Sequence, residues 1–595
     1  MIQQSSRPHR RGWRAAAAAL LLIAGSAAAQ TAPPAWVAKS DQNTQIVLEA
    51  LARFNPEAAG DLGISGLDEE ILDLMPGFDN RATEASQQVR AELARRLAAE
   101  TDPPVRQDLQ ILIDAIDSEL QETELSRRYS LPYFNLSRTV FGGLRSLLDD
   151  QIEAARRPAA LVRLKKYAGL APGTTPITRL AEDYTRTRLQ TPGLAGPFKD
   201  EVERDLANNA TIVAGIAEVF QKYGIQGYEE PYARLKEQLA AYDEFVRREI
   251  LPRARTDFRL PPEIYAHRLR AGGVDMPVEE LVSRAEVAFR EIQNEMESLA
   301  PRVAQEKGLA VTDYRGVLRE LKKQQITGDA ILPHFQARIQ ALEEIVRREG
   351  IVSLPERKMK FRVASEAESV TSPAPHFQPP RLIGNTGEMG EFILPLVIPG
   401  RQGQGKLQLD DFTYDAFSWP VTAHEGRPGH ELQFASVIEK GVSRARSIFA
   451  ANGVNVEGWA LYAEAEVKPY LPLDGQLATL QSRLARAARA ILDPGLQLGT
   501  ITRDEAIRVL REDVGLSEGT ALQEVERYTY RSPGQATTYF VGYTRLMELR
   551  AEAERILGRK FDRRKFHDFL LAQGLLPPKL LRQAVFEEFI PREKE

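Results

Sequence analysis

A chain of 595 residues that is 43% hydrophobic and 27% charged has ample material for a core, which excludes a disordered tail, a collagen and a disulfide-stapled miniprotein. Its 78 basic and 83 acidic residues leave a formal charge of -5, so no basic excess suggests a nucleic-acid partner. There is no cysteine, which excludes thiol catalysis, iron–sulfur clusters and cysteine zinc sites; a metal would have to be held by carboxylates and the seven histidines.

The first fourteen residues carry Arg7, His9, Arg10, Arg11 and Arg14 and no acid. An apolar run follows over 15–25, too short to span a bilayer, and then small residues at Ala27 and Ala29. This pattern predicts an export signal over 1–29, cut after Ala29, and an exported, periplasmic product. No later stretch is apolar enough to cross a membrane.

Most of the remaining chain alternates apolar and charged residues at three- and four-residue spacing, which predicts helices over 84–100, 104–125, 198–222, 230–250, 277–300 and 329–349. The texture changes after that. Residues 357–364 alternate as a strand does, and 390–398 are apolar between glycines and prolines. Between them Pro373, Pro375, Pro379 and Pro380 break any helix, so 371–380 reads as a linker or loop. The expected fold is mainly α, with a small β insertion near 357–410. An N-terminal helical region (30–356) precedes a metal-site region (357–595) of one catalytic domain.

Residues 421–434 read VTAHEGRPGHELQF. Two histidines on one helix face can hold zinc, and a glutamate beside the first can activate a water. Such pairs sit four residues apart, whereas His424 and His430 are six apart. On a regular helix six steps leave the rings about 120° apart, unable to share a metal. Pro428 and Gly429 are the residue types that distort a helix, so a break at 426–429 would return both rings to one side. Glu457, in GVNVEGWALYAEAE, offers a third ligand and leaves one position open. Glu464, seven residues on, would orient a ligand histidine from behind. The cluster EVERYTYRSPGQATTYFVGY at 524–543 supplies tyrosines for an oxyanion and arginines for a substrate carboxylate. The residues alone leave a second reading open: two buried structural histidines, Glu457 as a helix N-terminal acid, and a Tyr/Arg cluster that only packs. His9, His267, His334, His376 and His567 have no ligand-like neighbours and read as structural or exposed; Trp419 and Trp459 read as core.

His424-Glu425-Gly426-Arg427-Pro428-Gly429-His430, Glu457-Gly458-Trp459-Ala460-Leu461-Tyr462, Glu526-Arg527-Tyr528 and Pro533-Gly534-Gln535-Ala536 together resemble the bacterial domain-of-unknown-function family 885, as does Pro262-Glu263-Ile264-Tyr265. The likeness extends over roughly 40–590. That family looks like a distant relative of zinc peptidases with a helical two-lobed body and a deep cleft. The resemblance implies one zinc per chain at His424, His430 and Glu457, with Glu425 as general base. Relatives often carry a second histidine after the motif's last one; Glu431 stands there, which is expected to leave the ligands intact and alter the charge of the cleft.

The function expected is exported, zinc-dependent hydrolysis of short peptides. Tyr539, with Tyr528 as the alternative, would donate to the oxyanion. Arg527, Arg531 and Gln535 would bind substrate; an arginine on the C-terminal carboxylate would make a carboxypeptidase. An extended peptide would pair with the edge of the 390–398 strand. A non-catalytic peptide-binding protein and a hydrolase of a non-peptide amide or ester are the rival expectations.

Overall fold

The computed structural model describes residues 34–398, 407–408 and 410–595. The expected signal segment, 1–29, lies outside the described residues. From Pro34 the described chain forms one unit built almost wholly of helices. The predicted helices are all present, at Phe78–Ala99, Pro103–Tyr129, Lys199–Lys222, Glu229–Phe245, Val278–Lys307 and Ile331–Glu349. Their ends follow ordinary rules. Gly350 closes the last of them at a φ of 58°, which a side chain would resist. Val278–Lys307 runs about two turns beyond the expected Ala300, because Pro301 is accommodated inside it. Among the described residues no helix is long and apolar enough to cross a membrane.

The insertion forms a three-stranded sheet of β1 (Lys360–Val363), β2 (His376–Gln378) and β3 (Glu391–Leu394) in the order β1-β3-β2. β1 runs parallel to β3 with Lys360 opposite Glu391; β2 runs antiparallel with His376 opposite Ile393. The expected strand over 390–398 is cut at Pro395, where no backbone donor exists. Its tail, β4 (Val397–Ile398), pairs instead with β5 (Leu407–Gln408). A short helix, Glu366–Thr371, follows β1, opened by a reciprocal Ser365–Glu368 capping box. β2 itself lies in the Pro-rich stretch.

The sheet is anchored by aromatic packing. Phe335 stacks on Phe361 at 4.8 Å and meets Phe392 edge-on at 5.7 Å. Burying each ring contributes roughly 1.5–3 kcal/mol. These rings belong to the largest core, which extends from Tyr265 to Val541. A second core, mostly from the N-terminal helices, takes in Ala367 and Val370 from beside the sheet. The insertion thus packs against both cores, with β1 and β2 as the edges of its sheet.

Two helices near the C-terminus, Gly453–Val467 and Thr538–Leu557, touch backbone to backbone. A Cβ on Gly458 would lie 2.5 Å from the Gly542 Cα, and one on Gly542 would lie 2.0 Å from the Val454 carbonyl oxygen. Only glycine permits that approach. It brings the first turns of both helices, bearing Glu457 and Tyr539, to one cavity.

Candidate metal centre

The segment holding both histidines is not one helix. Ser418–Glu425 ends at Glu425, residues 426–429 turn, and His430–Glu439 begins at His430. The Arg427–Pro428 peptide is cis. A Cβ on Gly429 would stand 2.0 Å from the His424 carbonyl oxygen and 2.4 Å from that of Ala423, so the turn folds onto the end of the first helix. Trp459, in the core, ties the turn to the next helix by donating its indole N–H to the Pro428 carbonyl at 3.1 Å. The break brings the rings of His424 and His430 to 4.7 Å between centroids, almost perpendicular.

Glu457 faces both. Its Oε2 lies 3.4 Å from His424 Nε2 and 3.3 Å from His430 Nε2. Among the described residues these three form a group able to hold one metal, with ligand atoms all within 4.8 Å of one another. Two atoms on one tetrahedral zinc, each at about 2.0–2.1 Å, lie about 3.3 Å apart. Glu457 Oε2 is buried and makes no hydrogen bond. Its Oε1 accepts from Gln535 Nε2 at 3.1 Å, which fixes the carboxylate plane. The donor set, the spacing and the orphaned oxygen all fit zinc.

Behind His424, Nδ1 donates to Glu464 Oε1 at 2.7 Å, and Arg486 lies 3.7 Å beyond. Burial pushes the His424 imidazole down, but Glu425, Glu457 and Glu464 outweigh it and raise the group to about 9. Burial works to raise Glu457, yet the two imidazoles hold it well below the usual carboxylate range. Three carboxylates around two imidazoles are a surplus of negative charge that a dication would balance. His430 differs: its Nδ1 is buried without a partner.

The centre opens onto a cavity of about 760 Å³. Glu425, Gln535, Arg527, Arg531 and Tyr539 line it with His424, His430 and Glu457, as do Arg138 and Glu201 from the N-terminal helices and Phe377 of β2. Phe377 stacks on His430 at 6.3 Å. Tyr539 stacks on His424 at 6.0 Å.

Several expected residues stand elsewhere. Tyr528 is fully buried and does not line the cavity; its hydroxyl donates to Glu524 at 2.7 Å, so it supports that carboxylate and is out of reach of an oxyanion. Arg531 lines the outer cavity but is ion-paired with Glu526 at 2.9 Å. Glu431 does not alter the cavity's charge: it is 1% exposed and ion-paired to Arg427, whose other partner is Glu343. The peptide-pairing edge is also not at β3, which is the central strand and is paired on both sides; β1 and β2 are the edges of the sheet, and of these β2 lines the cavity. His376, expected to be structural or exposed, is half-buried on β2 in the cavity wall. His567, His267, Trp419 and Trp459 are buried as expected.

Sequence reasoning missed Arg486, Arg489, Gln523 and Glu524, which lie beside the centre. A signal existed: Arg483, Arg486 and Arg489 recur every third residue in an alanine-rich helix with no acid among them. Asp493, on the same helix, was missed too. It accepts from the Gly534 N–H at 2.8 Å and from the Tyr265 hydroxyl at 3.0 Å, and so fixes the turn that presents Gln535 to Glu457.

A helical body with an inserted sheet and a His/His/Glu cluster in its main cavity defines the class. The chain belongs to the family described as bacterial protein of unknown function (DUF885), which matches residues 56–585. The same fold occurs in a candidate lipoprotein from Colwellia psychrerythraea, 18% identical, with a TM-score of 0.72 over 93% of this chain and 99% of that one. It occurs again in a candidate lipoprotein of unknown function from Shewanella oneidensis, also 18% identical, with a TM-score of 0.67 over 92% and 99%. Among curated proteins none matches the chain.

Proposed function

We propose that this protein is an exported, zinc-dependent hydrolase of short peptides. The observation that carries the reading is Glu457 Oε2: buried, without a hydrogen bond, and faced at 3.3 and 3.4 Å by the Nε2 atoms of two histidines beside Glu425. His424, His430 and Glu457 would hold the metal, which when bound supplies Lewis acidity and lowers the pKa of water from about 15.7 towards about 7.

The remaining chemistry belongs to the chain. Glu425 lines the cavity next to the ligands, where its carboxylate takes a proton from the attacking water and returns it to the leaving amine. Tyr539, stacked on His424, donates its hydroxyl to the oxyanion. Gln535 holds Glu457 in place rather than the substrate. β2 offers unpaired backbone groups along the cavity, so an extended peptide can add there as a fourth strand. Phe377 then guards the metal side of that strand. Export is supported by the basic, apolar and small-residue N-terminus and by two relatives described as candidate lipoproteins.

The test is the zinc content of the purified mature chain, beside His430→Ala, followed by a panel of peptides and of non-peptide amides and esters. About one zinc per chain, lost in the variant, with peptide cleavage is the result expected. No zinc after incubation with the metal would overturn the reading in favour of a non-catalytic peptide-binding protein. Turnover of non-peptide substrates alone would move the substrate class.

A further inference from the structure

Beside His424 and Glu425 the cavity continues into a chamber of about 70 Å³, which shares Ala374, Pro375, Arg527 and Tyr539 with the larger cavity's lining. Three guanidiniums line it, those of Arg486, Arg489 and Arg527, against two carboxylates, Glu425 and Glu524. The chamber is close to the centre: Arg489 and Arg486 lie 4.6 and 5.6 Å from the ring of Tyr539, which stacks on His424.

The hydrogen bonds around it do not close. Arg489 grips Glu524 through Nε and Nη2 at 2.7 and 2.9 Å, and its Nη1 is buried without a partner. Arg527 Nη1 is 3.7 Å from Glu524 and makes no hydrogen bond. Arg486 uses Nη1 on Ser482 and leaves Nε unpaired. Gln523, 7% exposed, leaves its Nε2 unpaired. Glu524 cannot serve them all: Arg489 and the Tyr528 hydroxyl already share it, and burial that would raise it is outweighed by Arg489, Arg527 and that hydroxyl, which hold it ionised at about 2. Buried donors are ordinarily satisfied, and a cluster of four that are not needs an acceptor from outside the chain. Arg486 is also faced by Glu464 at 3.7 Å, so what stays open is the unpaired N–H groups, and those of Arg489 and Arg527 favour an anionic acceptor. A carboxylate meets that with one charge and two oxygens in a plane, the form a guanidinium binds best. The opposite wall is apolar, with Phe412, Phe417, Val421 and Leu516, and suits an uncharged side chain.

We infer that this chamber is a subsite for a carboxylate on the leaving side of the substrate, held by Arg527, Arg489 and Gln523. That the carboxylate belongs to a substrate rests on the hydrolase reading above. A chamber this small, opening directly beside His424 and Glu425, takes the end of a chain and not its continuation. The carboxylate is therefore the C-terminus of a peptide whose last residue leaves, or the side chain of an acidic last residue.

The test is calorimetric binding to the zinc-loaded full mature chain of three probes: N-acetyl-leucine, its amide, and the α-amide of N-acetyl-glutamate. The acid should bind about tenfold or more tightly than the amide, and the preference should fall below about threefold in Arg527→Met and in Gln523→Leu. The glutamate amide distinguishes the source, matching the acid if the side-chain carboxylate is the one held. Equal binding of acid and amide by the wild-type chain, a comparison that needs no variant, would overturn the subsite. So would a preference that survives both substitutions. A chain that holds zinc and cleaves peptides without preferring the acid loses only the subsite. One that prefers the acid without cleaving anything loses only the hydrolase.

Discussion

His424 Nδ1 lies 2.7 Å from Glu464 Oε1, and this pairing decides which nitrogen faces the cavity. An ionised carboxylate can only accept, so Nδ1 donates, and Nε2 is the nitrogen that would give up its proton and offer a lone pair to a metal beside Glu457 and His430. His430 has no such support. Glu464→Gln, which keeps the volume and removes the charge, should weaken zinc binding by about tenfold or more. Competition with a chromogenic chelator measures this; unchanged affinity would remove the orienting role of Glu464.

Glu425 and Tyr539 are assigned to turnover, not to metal binding, and the two are separable. Glu425→Gln should hold one zinc and lose about 10²–10⁴ in kcat. Tyr539→Phe should hold zinc and lose about 10²–10³. Tyr528→Phe, whose hydroxyl is held by Glu524 and does not line the cavity, should lose less than about tenfold. Full activity in Glu425→Gln with zinc present would show that another group takes the proton.

The His424, His430 and Glu457 cluster was legible in the sequence because its chemistry is rare: with no cysteine and seven histidines, two histidines around Glu-Gly-Arg-Pro-Gly stand out. Their six-residue spacing even predicts the break at 426–429. What was illegible arises from tertiary packing. β2 is three residues long in a proline-rich stretch, and only its pairing to β3 makes it a strand. Tyr528 and Tyr539 look alike in sequence; which one reaches the cavity depends on the Gly458–Gly542 contact. Glu431 looked like a cleft residue because it follows His430, but one step along a helix turns a side chain by about 100°, here into Arg427.

The turn between the two ligand helices tests that dependence on glycine. A Cβ at Gly429 meets two backbone carbonyl oxygens, neither of which can swing aside. Gly429→Ala should therefore cost on the order of 3 kcal/mol in stability and lose zinc with it. Gly142→Ala is the control: it lies in the Leu136–Arg145 helix with nothing within 4 Å of the new carbon, and should be neutral or stabilising by about 0.5–1 kcal/mol. Urea unfolding of both variants decides the matter, and a Gly429→Ala chain of wild-type stability with full zinc would show that the turn has another conformation.

His567 gives the fold a dependence on pH that is separate from the metal. Its ring is buried, with Nδ1 donating to the Ile351 carbonyl at 2.7 Å and Nε2 accepting the Tyr462 hydroxyl at 2.7 Å. Burial pushes it down to about 3, and nearby Arg550 and Arg563 add to that. The folded chain thus refuses a proton that the unfolded chain takes near 6.5. The neutral ring's contribution is whole above pH 6.5 and drains away as the pH falls towards 3, by about 1.4 kcal/mol per unit. Other groups titrate over the same range, so the quantity to follow is the stability difference between the wild type and His567→Gln, which can make both hydrogen bonds but takes no proton. That difference should shift against the wild type steadily from pH 6 to pH 4. A difference that stays flat over those two units would mean that His567 is protonated as easily in the folded chain as in the unfolded one.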